Sequence, residues 1–177
     1  MFSPFSRLPW RAILLCMNTT EALIAGLKLS PRLLSEFVGE IPPDKMEARR
    51  RRDAWTIRQH VNHLAEVQPM LFERLRRFRD EPAPDFTPFA PNPEGAESGV
   101  GQGTMQEALE EFRVWRERQI ELIHAFRPEV YRKLAHHPEY EIYTPGILIR
   151  HILSHDHWHM HRMEELWLVH DEYLTTL

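Results

Sequence analysis

Apolar side chains recur every three to four residues through four stretches of this chain, and polar or proline-rich segments separate them. In the first stretch, 18–40, Leu23, Leu27, Leu34, Phe37 and Val38 fall on one side of a helix. Thr19 or Thr20 would cap it, Gly39 would close it and Pro42-Pro43 would stop it. Pro31 predicts a kink or a break near Ser30. The second stretch, 55–79, has Thr56 as its cap and Ile57, Val61, Leu64, Leu71, Phe72, Leu75 and Phe78 on its apolar face, with a bend at Pro69. The third starts at Thr104 and buries Met105, Leu109, Phe112, Ile120 and Ile123, with Trp115 or Arg116 between them. The fourth follows Thr144-Pro145, a cap and a first-turn proline, and nothing after Gly146 breaks it. Its stripe is Leu148, Ile152, Met163 and Leu166.

Four helices of this length predict an all-α, four-helix bundle with a long crossover between helices two and three. That crossover, 80–103, holds five prolines and four glycines, so it either covers a site or serves topology alone. Residues 129–144 read as irregular. The connection 42–54 contains four consecutive arginines, 49–52, which read as a solvated loop because the chain as a whole is acidic. We take 18–177 as the bundle domain and 1–17 as an extension that the pattern constrains poorly.

Composition narrows the function classes. A formal net charge of −4 argues against a dedicated nucleic-acid binder. No apolar run is long enough to span a membrane, and residues 1–17 lack the apolar core and cleavage site of a signal peptide, so we expect a cytoplasmic protein. Cys16 is the only cysteine, which removes any intrachain disulfide or cysteine-based zinc site.

What stands out chemically is histidine. Five of the eleven lie between 147 and 162. On a wheel of about 100° per residue, His159 falls inside the apolar arc of the fourth helix and His155 at its edge. His157 and His161 face solvent, and His151 is borderline. Residues four apart on one helix face stand one above the other, so His155 and His159 can grip one ion. A transition-metal site needs a third or fourth ligand. Helix two offers His60, well within its apolar arc, and His63 nearer the edge, and periodicity does not choose between them. A pair Glu121/His124 has the E-x-x-H spacing of di-iron bundles but no second copy. The H-D-x-x-H order at 155–159 differs from the protease motif H-E-x-x-H in its shorter acid and in the little chain left downstream for a third ligand.

WTIRQHVNHLAE at 55–66 and HDHWH at 155–159 resemble the DinB/YfiT-like superfamily of four-helix-bundle metalloproteins, most of all its YfiT-like branch of metal-dependent hydrolases. His137-Pro138-Glu139-Tyr140 followed by Thr144 is similar to that family's lead-in to the last helix. The crossover departs from the pattern in lacking a tryptophan. The resemblance places a metal histidine eight residues after Trp55, at His63, and implies that His63, His155 and His159 hold one divalent metal ion, Zn2+ or Ni2+ foremost and Fe2+ also suitable. It implies a small-molecule substrate, a homodimer, and an enzyme that activates either water for hydrolysis or a low-molecular-weight thiol for S-transfer. No general base is assigned; Asp156 and Glu66 are near ligands in sequence, equally suited to surface charge or to a supporting hydrogen bond. The competing readings are a non-catalytic metal-binding or association module, marked by a fourth protein ligand such as His60 or His151, and a metal-free bundle with core histidines.

Overall fold

Thr56, Thr104 and Thr144 each stand just before a helix, and each side-chain oxygen accepts a backbone N–H from the first turn, from Gln59, Glu107 and Ile147. Gln59 and Glu107 reach back to the backbone N–H of their capping threonines, completing two capping boxes. The computed structural model describes residues 10–50, 54–87 and 103–170, with side chains from Thr20 onward. Its helices are α1 (Trp10–Glu40), α2 (Ile57–Glu66), α3 (Gln68–Asp80), α4 (Met105–His124) and α5 (Pro145–Leu168). Helices α2 and α3 form one rod of a four-helix bundle, broken at Val67 just before Pro69.

Three local expectations differ: the cap of the first helix, the part of Gly39 and the irregularity of 129–144. Helix α1 starts at Trp10, so Thr19 and Thr20 lie inside it. Pro31 also lies inside the continuous helix, and Gly39 is within the last turn without a positive φ. Residues 129–144 are more ordered than the irregular stretch expected. They form a 3-10 turn, Val130–Arg132, and an antiparallel hairpin of β1 (Ala135–His137) and β2 (Tyr140–Tyr143). Strands this short carry too little periodicity to be read from sequence. The start of the crossover docks on β1, where His136 N donates to Pro84 O and Phe86 N to His136 O, both at 2.9 Å. Residues 88–102, the bulk of the crossover and of any cover it provides, lie outside the described residues, as do 51–53 and 171–177.

Helix α1 packs mainly on α4 and α5, and so do α2 and α3, so α1 and the α2–α3 rod sit across the bundle from each other. The core divides in two along the bundle axis. One cluster gathers Leu27, Leu75, Phe78, Ile123, Leu148 and Ile152; the other gathers Leu34, Ile57, Leu64, Phe112 and Met163. Between them lies a buried polar layer of Ser30, Gln68, Arg116, Gln119 and Asp156. No helix among the described residues is long and apolar enough to cross a membrane.

Candidate metal centre

Because α2 and α5 are neighbours, side chains on their facing sides meet. The capped start of α2 directs His60 and His63 toward α5, and His155 and His159 stand one turn apart on α5. His155 Nε2 lies 3.2 Å from His63 Nε2 and 3.1 Å from His159 Nε2. The ligating nitrogens of His63, His155 and His159 all lie within 4.8 Å of one another. An ion bound tetrahedrally through Zn–N bonds of 2.0–2.1 Å separates its ligand nitrogens by about 3.3–3.4 Å. Two of the three separations are already close to that spacing.

The charge state suits ligation. Burial pushes the His63 and His155 imidazoles down to about 4, helped by each ring's neighbourhood, His155 beside His63 and Arg116 near His155. Burial and the surrounding histidines push His159 down as well. All three rings are therefore neutral near pH 7, the form that offers a lone pair to a cation. His155 Nδ1 is buried with no hydrogen-bond partner among the described residues, which leaves that ring oriented by packing. Three neutral nitrogens converging on one point, with no carboxylate in the set, fit a borderline-soft divalent ion.

The open side of the triad faces a cleft of about 440 Å³, which places the site at the surface end of the α2–α5 seam. Trp55 is one wall, its ring stacked 5.9 Å from that of His159 and tilted against His63 at 4.7 Å. Trp158, 53% exposed, is another, edge-on to His159. At one end Glu165 is held between Arg162, at 2.7 Å, and Arg50, at 3.2 Å. Among the described residues lining the cleft, Glu165 is the one carboxylate, and both of its oxygens are engaged by arginine.

Asp156 turns away from this cleft into the polar layer. It is 1% exposed and forms a two-pronged ion pair with the wholly buried Arg116, Nη1 to Oδ2 at 2.8 Å and Nη2 to Oδ1 at 3.1 Å. Ser30 Oγ donates to Oδ2 at 2.7 Å. Gln68 Oε1 accepts from Arg116 Nη2 and from Gln119 Nε2, tying α3 and α4 into the same layer. Burial pushes the Asp156 carboxyl up, and Arg116 and Ser30 pull it back. With both oxygens committed inside the bundle, Asp156 is no proton acceptor for the cleft, nor is it surface charge.

The other sequence candidates scatter. Glu66, Glu121, His124, His157 and His161 are exposed. His151 packs against Tyr140 and Tyr143 of the hairpin, at 5.1 and 5.6 Å between ring centres. His60 sits behind His159, with 2.8 Å between their Nδ1 atoms, on the side of that ring away from its Nε2. Neither rival for a fourth ligand therefore joins the cluster. Sequence reading missed Trp55 and Trp158 as cleft walls and Arg50, Arg162 and Glu165 at its end. Arg162 and Glu165 had a faint signal, three apart on α5 beside the histidines. The part of Arg50 depends on how the 42–54 connection returns, which no local pattern encodes.

The profile of the DinB superfamily matches residues 27–163, most of the chain. Among solved structures, YfiT from Bacillus subtilis superposes with a TM-score of 0.71 over 93% of this chain and 91% of that one, at 21% sequence identity. That protein is described as a probable metal-dependent hydrolase with an unusual four-helix bundle topology. No curated protein sequence matches the chain.

Proposed function

Because the chain belongs to the DinB superfamily, we propose that it is a metal-dependent hydrolase of small molecules, with one divalent ion held by His63, His155 and His159. The observation that carries this reading is the convergence of three imidazole nitrogens at the floor of a cleft, those of His63 and His159 on buried rings and that of His155 on a half-buried one, with no fourth protein ligand in the cluster among the described residues. A divalent ion held there by His63, His155 and His159 would supply Lewis acidity, toward a water molecule or a substrate carbonyl.

The chain's own residues divide the remaining work. Trp55 and Trp158 offer apolar walls to the body of a substrate. Arg162 and Arg50, fixed by Glu165, put guanidinium groups at one end of the cleft, where an anionic substituent would dock. Zn2+ or Ni2+ suits three neutral nitrogens best, with Fe2+ next. The same open side would accept the thiolate of a low-molecular-weight thiol, so the assay needs two arms. The family resemblance supports a homodimer, which light scattering checks, and the lone Cys16 fits a reducing compartment such as the cytoplasm.

Protein grown with added Zn2+ and Ni2+ should carry about one divalent ion per chain, and His63→Ala should carry none. The loaded protein should hydrolyse members of an ester and amide panel at rates that vanish on chelation. Consumption of monochlorobimane with a cellular thiol, and no hydrolysis, would move the assignment to thiol transfer. Absence of metal after such growth would overturn both.

A further inference from the structure

His60 is the one imidazole of the cleft that has no place in the ligand set, yet it is 7% exposed and makes the shortest nitrogen–nitrogen contact among the cleft's imidazoles. Its Nδ1 lies 2.8 Å from His159 Nδ1. Two ring nitrogens at that distance share a single proton, so one donates and the other accepts. The two arrangements are not equivalent. If His60 Nδ1 donates, His159 must carry its own proton on Nε2, which then has no lone pair for a cation. If His159 Nδ1 donates, its Nε2 is bare and faces His155 Nε2 at 3.1 Å. Only the second arrangement yields three ligating nitrogens.

We infer that His60 is a positioning residue: its Nδ1 accepts a hydrogen bond from the Nδ1–H of His159 and thereby holds His159 Nε2 unprotonated and aimed at the point shared with His63 and His155. This inference rests on the metal-centre reading above. Metal-bound histidines commonly anchor their second nitrogen on a carboxylate, a backbone carbonyl or a water. Here a second histidine, supplied by the facing helix, does so. Trp55 holds the pair in register, edge-on to His60 at 5.4 Å and stacked on His159. A neutral acceptor draws the His159 proton less than a carboxylate would. His159 is then a weaker electron donor, and a bound cation keeps more of its Lewis acidity. His155, whose Nδ1 has no partner among the described residues, has no such anchor.

Asn and Leu at position 60 separate this role from simple packing. Asparagine Oδ1 occupies the place of histidine Nδ1 and accepts a hydrogen bond; leucine fills similar space and accepts none. The probes are Zn2+ and Co2+ alone, with affinity measured by chelator competition and coordination by the Co2+ d–d bands. We expect His60→Leu to bind either ion about 10–100-fold more weakly. His60→Asn should stay within about threefold of the unmutated protein, with its Co2+ bands unmoved. Thermal melting of the metal-free variants checks that both fold. In the unmutated, zinc-loaded protein, long-range proton–nitrogen NMR correlations should show His159 protonated at Nδ1 and His60 at Nε2, a readout that needs no variant. Full affinity in His60→Leu, equal weakening in both variants, displaced Co2+ bands in His60→Asn, or a His60 proton on Nδ1 would each overturn the inference. Metal uptake that requires His63 but tolerates leucine at 60 would sink this inference alone. No uptake by the unmutated protein, or uptake indifferent to His63, would sink the metal-centre reading and this with it.

Discussion

Asparagine in place of Asp156 keeps the shape of the side chain and removes its charge, so it isolates what the buried ion pair contributes. Arg116 is 0% exposed and Asp156 1%, with both guanidinium nitrogens and both carboxylate oxygens engaged at 2.8 and 3.1 Å. Burial pushes the carboxyl toward its neutral form, and Arg116 and the Ser30 hydroxyl oppose that push; the two-pronged contact with a guanidinium is the geometry of the charged pair. Asp156→Asn therefore strands a positive charge between two apolar clusters. Breaking a buried pair in this way costs about 3–5 kcal/mol. At about 2–4 °C per kcal/mol for a chain of this size, the melting temperature should fall by about 6–20 °C. The assay is urea unfolding of the metal-free protein, because bound metal would add its own stabilisation. The double variant Arg116→Met/Asp156→Leu should lose less than Asp156→Asn alone, since no stranded charge remains. A loss below about 1 kcal/mol in Asp156→Asn, or a double variant as damaged as the sum of the singles, would refute the picture of a charged pair.

His155→Ala should lower divalent-ion stoichiometry to near zero while His161→Ala leaves it at about one per chain, because His161 is exposed outside the cluster; elemental analysis of dialysed protein decides it. The metal-free bundle should lose stability as pH falls from about 6.5 to about 4, because His60, His63 and His155 are held down to about 4 when folded, whereas their unfolded counterparts take up protons near 6.5. Folding then releases protons in that window, and stability rises with pH; a urea midpoint flat across it would contradict the burial of these rings. Gly39 is exposed in the last turn of α1, with no positive φ and nothing within 4 Å of an added Cβ, so Gly39→Ala should stabilise by about 0.5–1 kcal/mol, read as a raised melting temperature. A loss would mean that the turn needs a left-handed residue after all.

Much of the architecture was already written in local pattern. The apolar stripes of α2 to α5 and the threonines at 56, 104 and 144 mark helices that form as read, because caps and amphipathic faces act within a turn or two. Pro69 marked the break in the second rod, whereas α1 runs through Pro31 without a break, its packing along α4 and α5 outweighing one lost backbone bond. The inward side of α5 was legible for the same reason: the wheel separates exposed His157 and His161 from His155 and His159.

What no wheel could decide was the meeting of different helices. Periodicity did not choose between His60 and His63, and only family resemblance pointed to His63; both are buried, and the difference lies in which ring edge faces His155 and which faces the back of His159. Arg116 read as an ambiguous stripe position and Asp156 as surface charge or a supporting contact. Their partnership exists because α4 and α5 place them in one polar layer forty residues apart in sequence. The cleft depends likewise on Arg50 returning from a connection to reach Glu165 on α5. Sequence alone determined where the helices run and which side of each is apolar, since those properties repeat within about 3.6 residues. Tertiary structure alone decided which nitrogens converge and which charges pair, since the direction of a ring or a carboxylate is set by the neighbour that packs against it.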